Sequence, residues 1–177
     1  NLLTQGYLED KKLEPLLVYT VENIFKSTPY DDFSKQFEHA FYDTLFAKGT
    51  IKFQSIKEIE KLQIKKPKKI LISISSSFCN SCKVLNATTL KDSAIAAYIN
   101  KNYYIINFDA ESADTIIFKG EKCFKQIVNG YPLNTFAMKV TNNRLQFPTI
   151  AVLDEKENTL DALNVFLTPK NLMPILH

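Results

Sequence analysis

The sequence predicts an α/β fold, a central mixed sheet flanked by helices. Three observations carry this reading. Ile70 to Ile74 and Tyr103 to Phe108 are near-continuous apolar runs, the pattern of strands covered on both faces. Helical segments separate them, so they pair in parallel through a right-handed crossover. Further on, Ile150 to Leu153 and Leu160 to Phe166 flank a polar turn at Asp154 to Asn158 and read as a hairpin.

The elements follow in order. Residues 1–13 are mixed and show no pattern. A helical pattern begins at Glu14, where Pro15 suits a first turn, and Leu17, Val21, Ile24 and Phe25 form one apolar face. Ser27-Thr28-Pro29 stops that helix and starts a second. Asp31 and Asp32 suit its positive end, and Phe33, Phe37, Ala40, Phe41 and Leu45 recur at helical spacing up to a helix end at Lys48-Gly49. The aromatic stripe reads as core packed on the domain that follows, in preference to a docking face for a partner helix. His39, beside the stripe, reads as a structural or exposed residue, since no second ligand stands at metal-binding spacing.

Thr50 to Phe53 suits a short strand. Ser55 to Leu62 then reads as a helix with a capping box between Ser55 and Glu58 and a buried side of Ile56, Ile59 and Leu62. A helix from Cys79 turns Val84 and Leu85 inward and breaks near the β-branched pair Thr88-Thr89. Asp92 caps a second segment that buries Ile95, Ala96, Tyr98 and Ile99. Within residues 112–146, Thr115 to Phe118 suits a strand, Lys119-Gly120-Glu121 a turn, and Leu133 to Val140 a helix. Thr168 as N-cap and Pro169 at the first helical position start a last helix over residues 169–176.

Composition narrows the function. The chain has 177 residues, enough for one good core, and a net charge of +3 from 22 basic and 19 acidic residues. That balance argues against nucleic acid as a partner. The basic run Lys65, Lys66, Lys68 and Lys69 around Pro67 reads as a solvated turn. No apolar run approaches the roughly 18–20 residues needed to span a bilayer. The chain begins at Asn1 without an initiator methionine, which leaves open the prior removal of an upstream signal or membrane anchor. With four glycines and two histidines there is no phosphate-cradling loop and no Ser/His/Asp hydrolase pattern.

The chemistry concentrates at Ile70 to Lys83. An apolar strand and a short polar turn lead to Cys79-Asn80-Ser81-Cys82 at the start of a helix. Residues three apart share a helix face, so both sulfurs can point the same way. A helix N-terminus stabilises a thiolate, the reactive form of cysteine. Of the three cysteines, Cys123 is left over and reads as a small buried residue.

A strand running into FCNSCK, a second buried strand about twenty residues on, an FPT tripeptide before a hairpin and a closing helix resemble the thioredoxin superfamily over roughly residues 51–177. The segment CKVLNATTLKDSAIAAYINKNYYIINFDAES is most similar to the C-terminal domain of membrane thiol:disulfide interchange proteins. Secreted thioredoxin-like proteins of gut-type bacteria also look similar, including the insertion FKGEKC before the proline strand. The resemblance implies a thioredoxin-like domain over 50–177, with an insertion at about 112–146 and an N-terminal helical extension over 1–49. It implies that Cys79 attacks and Cys82 resolves, that Pro148 is a cis-proline facing the pair, and that Phe147 offers its backbone to an extended substrate. Phe78, Asn80 and Ser81 complete the implied substrate-binding set.

The sequence departs from the thioredoxin pattern at the site. Phe78 stands where tryptophan is usual, Asn80-Ser81 replaces Gly-Pro, and Ser73 occupies the strand position of the usual buried acid, six residues before Cys79. Water or another carboxylate would then serve Cys82; Asp109 and Glu111 are the candidates.

The expected activity is thiol–disulfide exchange with protein substrates. It needs no dissociable cofactor, and a membrane reductase is the implied electron source. A periplasmic or secreted setting is expected, with the cytoplasm as the alternative. Three further readings stand beside this one: a thioredoxin-fold binding module acting through the helical pair and the insertion; an idle or static disulfide; and a zinc site drawn from Cys79, Cys82, Cys123, His39 and His177. The zinc reading is the weakest, because structural zinc wants four ligands and there is no second CxxC.

Overall fold

The structure is a computed structural model and describes residues 8–43, 49–128 and 130–177. Its centre is a four-stranded sheet of β1 (Lys69–Ser75), β2 (Tyr103–Asp109), β7 (Thr149–Leu153) and β8 (Thr159–Leu163), in the order β2-β1-β7-β8. β1 runs parallel to β2 and antiparallel to β7, so the sheet is mixed. Phe53 adds one parallel bridge, to Ile105, where the sequence suggested a short strand.

The period-two alternation of β1 divides the core into two layers. Leu71 points to one face. There it meets Val84 and Leu85 of α4 (Asn80–Ala87), Ile95 and Ile99 of α5 (Ser93–Asn102) and Leu172 of α7 (Pro169–Leu176). Ile70, Ile72 and Ile74 point to the other, against Ile59 of α3 (Ile56–Lys65) and Phe136, Ala137 and Val140 of α6 (Thr135–Val140).

Two N-terminal helices, α1 (Asp10–Val21) and α2 (Tyr30–Phe41), join the first layer. Phe33 of α2 is fully buried, with its ring 5.1 Å from that of Phe166. Thr28 Oγ1 donates to the Phe166 carbonyl at 3.1 Å. The pair differs from the sequence expectation in detail. α1 begins at Asp10, because the Glu9 carbonyl already accepts from Lys12 and Leu13, and Pro15 lies inside the helix. Its buried face carries Pro15 and Tyr19, whereas Leu17, Val21 and Phe25 are exposed. Ile24 is buried, but in a 3-10 turn past Asn23, whose left-handed φ of 57° ends α1. α2 ends at Phe41, and the expected continuation through Leu45 to Lys48 lies outside the described residues.

Residues 116–134 form two small hairpins, β3 (Ile116–Phe118) with β4 (Glu121–Cys123) and β5 (Lys125–Val128) with β6 (Tyr131–Asn134). The second replaces the start of the helix expected from Leu133. Asn134 accepts from Phe136 N at 3.0 Å and so delays the helix to Thr135. Thr168 starts α7 through its carbonyl, which accepts from Asn171 and Leu172, and not through a side-chain cap.

Candidate functional site at the start of α4

β1 and β7 bring the site together through their register. Ile74 pairs with Thr149, so Pro148 lies one residue beyond the pair, beside the loop that leaves β1 for Cys79. The Phe147–Pro148 peptide is cis. Cys79 and Cys82 are joined as a disulfide, with their Cα atoms 5.3 Å apart across the first turn of α4. Cys82 N donates to Cys79 Sγ at 3.1 Å, which makes the sulfur an N-cap acceptor.

Both cysteines are 2% exposed. Cys79 nevertheless lines a groove of ≈ 470 Å³ with Phe78, Phe147, Pro148, Glu22 and Lys26. Phe78 is 54% exposed and stacks edge-on against Phe147 at 5.5 Å, with Tyr131 of β6 at 6.2 Å. The loop before Cys79 is held by Ala110 N to Ser75 O at 2.8 Å and by Ser77 N to Glu111 Oε2 at 2.6 Å.

The sequence-stated residues thus divide. Phe78, Cys79, Phe147 and Pro148 share the groove. Asn80 and Ser81 do not line it: Ser81 is fully buried, and both give their N–H groups to Glu22, which does line it. The carboxylate candidates hold loops together: Asp109 Oδ1 accepts from Glu111 N at 2.8 Å, and Glu111 accepts from Ser77. That Ser77 N–H holds the Glu111 carboxyl below its ordinary range. Ser73 lies on the α4 face and donates to Asn86 Oδ1 at 2.9 Å, so a neutral Ser–Asn pair stands where an acid is usual. Cys123 is a buried free thiol on β4, His39 bonds Asp43 at 3.0 Å, and the His177 ring stacks on Tyr98. Among the described residues no three metal-ligating side chains converge.

Sequence reasoning missed Glu22. It sits at the C-cap of α1 and accepts from Asn80 N and Ser81 N, both at 2.9 Å, and from the Ser81 hydroxyl. Its Oε2 is 3.8 Å from Cys79 Sγ. The local signal is an acid at a helix C-terminus, where the dipole disfavours it.

A family model named Thioredox_DsbH, described as a protein of unknown function (DUF255), matches residues 47–172. The chain belongs to this family. Among solved structures, it resembles a DsbH oxidoreductase at 12% identity and a TM-score of 0.51, over 74% of this chain and 85% of that one. A thioredoxin from Thermus thermophilus is likewise 12% identical, with a TM-score of 0.52, over 71% of this chain and 84% of that one. At such identities the likeness is one of fold, and the fold is thioredoxin-like. A comparison with curated proteins gives no match. The family match and the CxxC pair together place the chain among thioredoxin-fold relatives of disulfide oxidoreductases.

Proposed function

We propose that the protein is a thiol–disulfide oxidoreductase acting on protein substrates through Cys79 and Cys82. The observation that carries this is the disulfide at the first turn of α4, set beside Pro148 in an open groove. In the reducing direction, the Cys79 thiolate attacks one sulfur of a substrate disulfide. A Cys79–substrate disulfide forms and the second substrate sulfur leaves as a thiolate. The Cys82 thiolate then attacks Cys79 Sγ, restores the internal disulfide and releases the remaining substrate thiolate. Both electrons pass from the cysteine pair to the substrate, and the same steps reversed oxidise a dithiol. Phe78, Phe147 and Pro148 are the proposed walls for an extended substrate segment. Asn80 and Ser81 contribute by shaping the helix start.

The proposed setting is periplasmic or otherwise extracytoplasmic, as the resemblance to the C-terminal domain of membrane thiol:disulfide interchange proteins implies. Electrons would come from another protein, a membrane reductase in the proposed case. No helix among the described residues is long and apolar enough to cross a membrane.

The 2% exposure of Cys79 favours a second reading, a thioredoxin-fold binding module with little redox activity. One experiment separates them. Cys82→Ser is expected to trap a mixed disulfide between Cys79 and a substrate protein, and Cys79→Ser to abolish both trapping and turnover. Cellular activity that survives Cys79→Ser, with nothing trapped by Cys82→Ser, supports the binding module.

A further inference from the structure

We propose that Glu22 is a positioning residue of the cysteine couple, holding the first turn of α4 in trans and keeping reduced Cys79 in its thiol form at neutral pH. This rests on the exchange reading of Cys79 and Cys82. The first turn of a helix has unpaired N–H groups that stabilise a thiolate placed at its N-cap. Here Asn80 N and Ser81 N both donate to Glu22, as does the Ser81 hydroxyl, which also lies 3.5 Å from Cys79 Sγ. Cys82 N remains on the sulfur. The carboxylate also lies 3.8 Å from Cys79 Sγ, so a negative sulfur would face a negative neighbour and a protonated one would have an acceptor.

Glu22 is firmly placed. Asn23 turns the chain immediately after it, and Ile24 and Thr28 are buried in the core that α1 and α2 share with α4. Other ionisable groups surround the site. Lys26 lines the groove, Lys83 Nζ bonds Asn80 Oδ1 at 3.1 Å, Glu111 holds Ser77 N and Tyr131 stacks near Phe78. Among the described residues Glu22 is the charged group within hydrogen-bonding reach of Cys79 Sγ. Ionisation of Cys79 releases its proton to water, and Glu22 opposes that step.

The test compares Glu22→Gln with the parent in a Cys82→Ser background, where Cys79 is a free thiol whether or not the protein exchanges disulfides. Thiolate absorbance is titrated against pH; the Cys123 contribution is common to both proteins. Removing the charge is expected to lower the Cys79 midpoint by about one pH unit. At neutral pH this raises the thiolate fraction about tenfold, while the nucleophilicity of a more acidic thiol falls about threefold, so iodoacetamide should alkylate Cys79 about threefold faster. An unchanged or raised midpoint, or slower alkylation at neutral pH, overturns the proposal. A purely structural role for Glu22 would lower the melting temperature and leave the midpoint where it was. The exchange reading fails on a different observation, the absence of a trapped mixed disulfide.

Discussion

At the residue scale, Phe78 and Asp92 show two uses of a single side chain. Phe78 stands where a tryptophan is usual, and its ring is half exposed beside Phe147 and Tyr131. In the proposed function it is a wall for the substrate, and so exposed a ring adds little to folding. Phe78→Ala should leave the urea midpoint nearly unchanged and raise KM for a protein disulfide roughly 2–10-fold, the worth of an aromatic contact of about 0.5–1.5 kcal/mol. Asp92 works the other way. Its carboxylate accepts from Ala94 N and Ile95 N at 3.0 and 3.1 Å and starts α5. Asp92→Ala should cost about 1 kcal/mol in urea unfolding and leave exchange kinetics unchanged.

At the element scale, the helical pair α1–α2 is the least expected part of the molecule in its function. Its aromatic stripe was legible as core in part: Phe33 and Phe37 are buried, while Phe41 is exposed. What the spacing did not carry was the partner. Helical periodicity records which face is apolar, not which element covers it, and so neither Phe33 against Phe166 nor Glu22 against α4 was readable. Apolar residues also misled on α1, where Leu17 and Val21 are exposed and Tyr19 is buried with its hydroxyl donating to the Thr28 carbonyl at 2.9 Å. Because the pair shares one hydrophobic cluster with α4, α5 and α7, Phe33→Ala should destabilise the whole chain by about 3–5 kcal/mol in one cooperative transition. A separate early transition, with the remainder unaffected, would show that the pair is an independent unit.

At the scale of the whole molecule, the strands were legible because a central strand must be apolar on both faces. β1 and β2 are where Ile70 to Ile74 and Tyr103 to Phe108 suggested. Of the two small hairpins, the first strand and turn were legible at Thr115 to Glu121, and β3 lies there; the second was not, since β5 is largely exposed and alternates little. The site was legible in its sulfurs, in Phe147 and in Pro148, and illegible in its carboxylate. A cap supplied from 58 residues away leaves no motif. The acid limb of stability follows from hydrogen-bonded carboxylates. Backbone or side-chain donors lower Glu58, Glu111 and Asp154 below their ordinary values. Their contribution is present above the unfolded-state values and is lost as pH falls through the lowered ones. The urea midpoint should therefore decline on acidification through the carboxylate range, and Glu111→Gln should make that decline shallower.

The most direct measurement is a redox titration of the Cys79–Cys82 pair against glutathione, read by alkylation and mass spectrometry. Thiol–disulfide exchange predicts a single two-electron transition in which Cys79 and Cys82 gain label together as the poise becomes more reducing, while buried Cys123 stays constant. A pair that keeps one state across the whole range of poise, with no mixed disulfide at any point, would contradict the account.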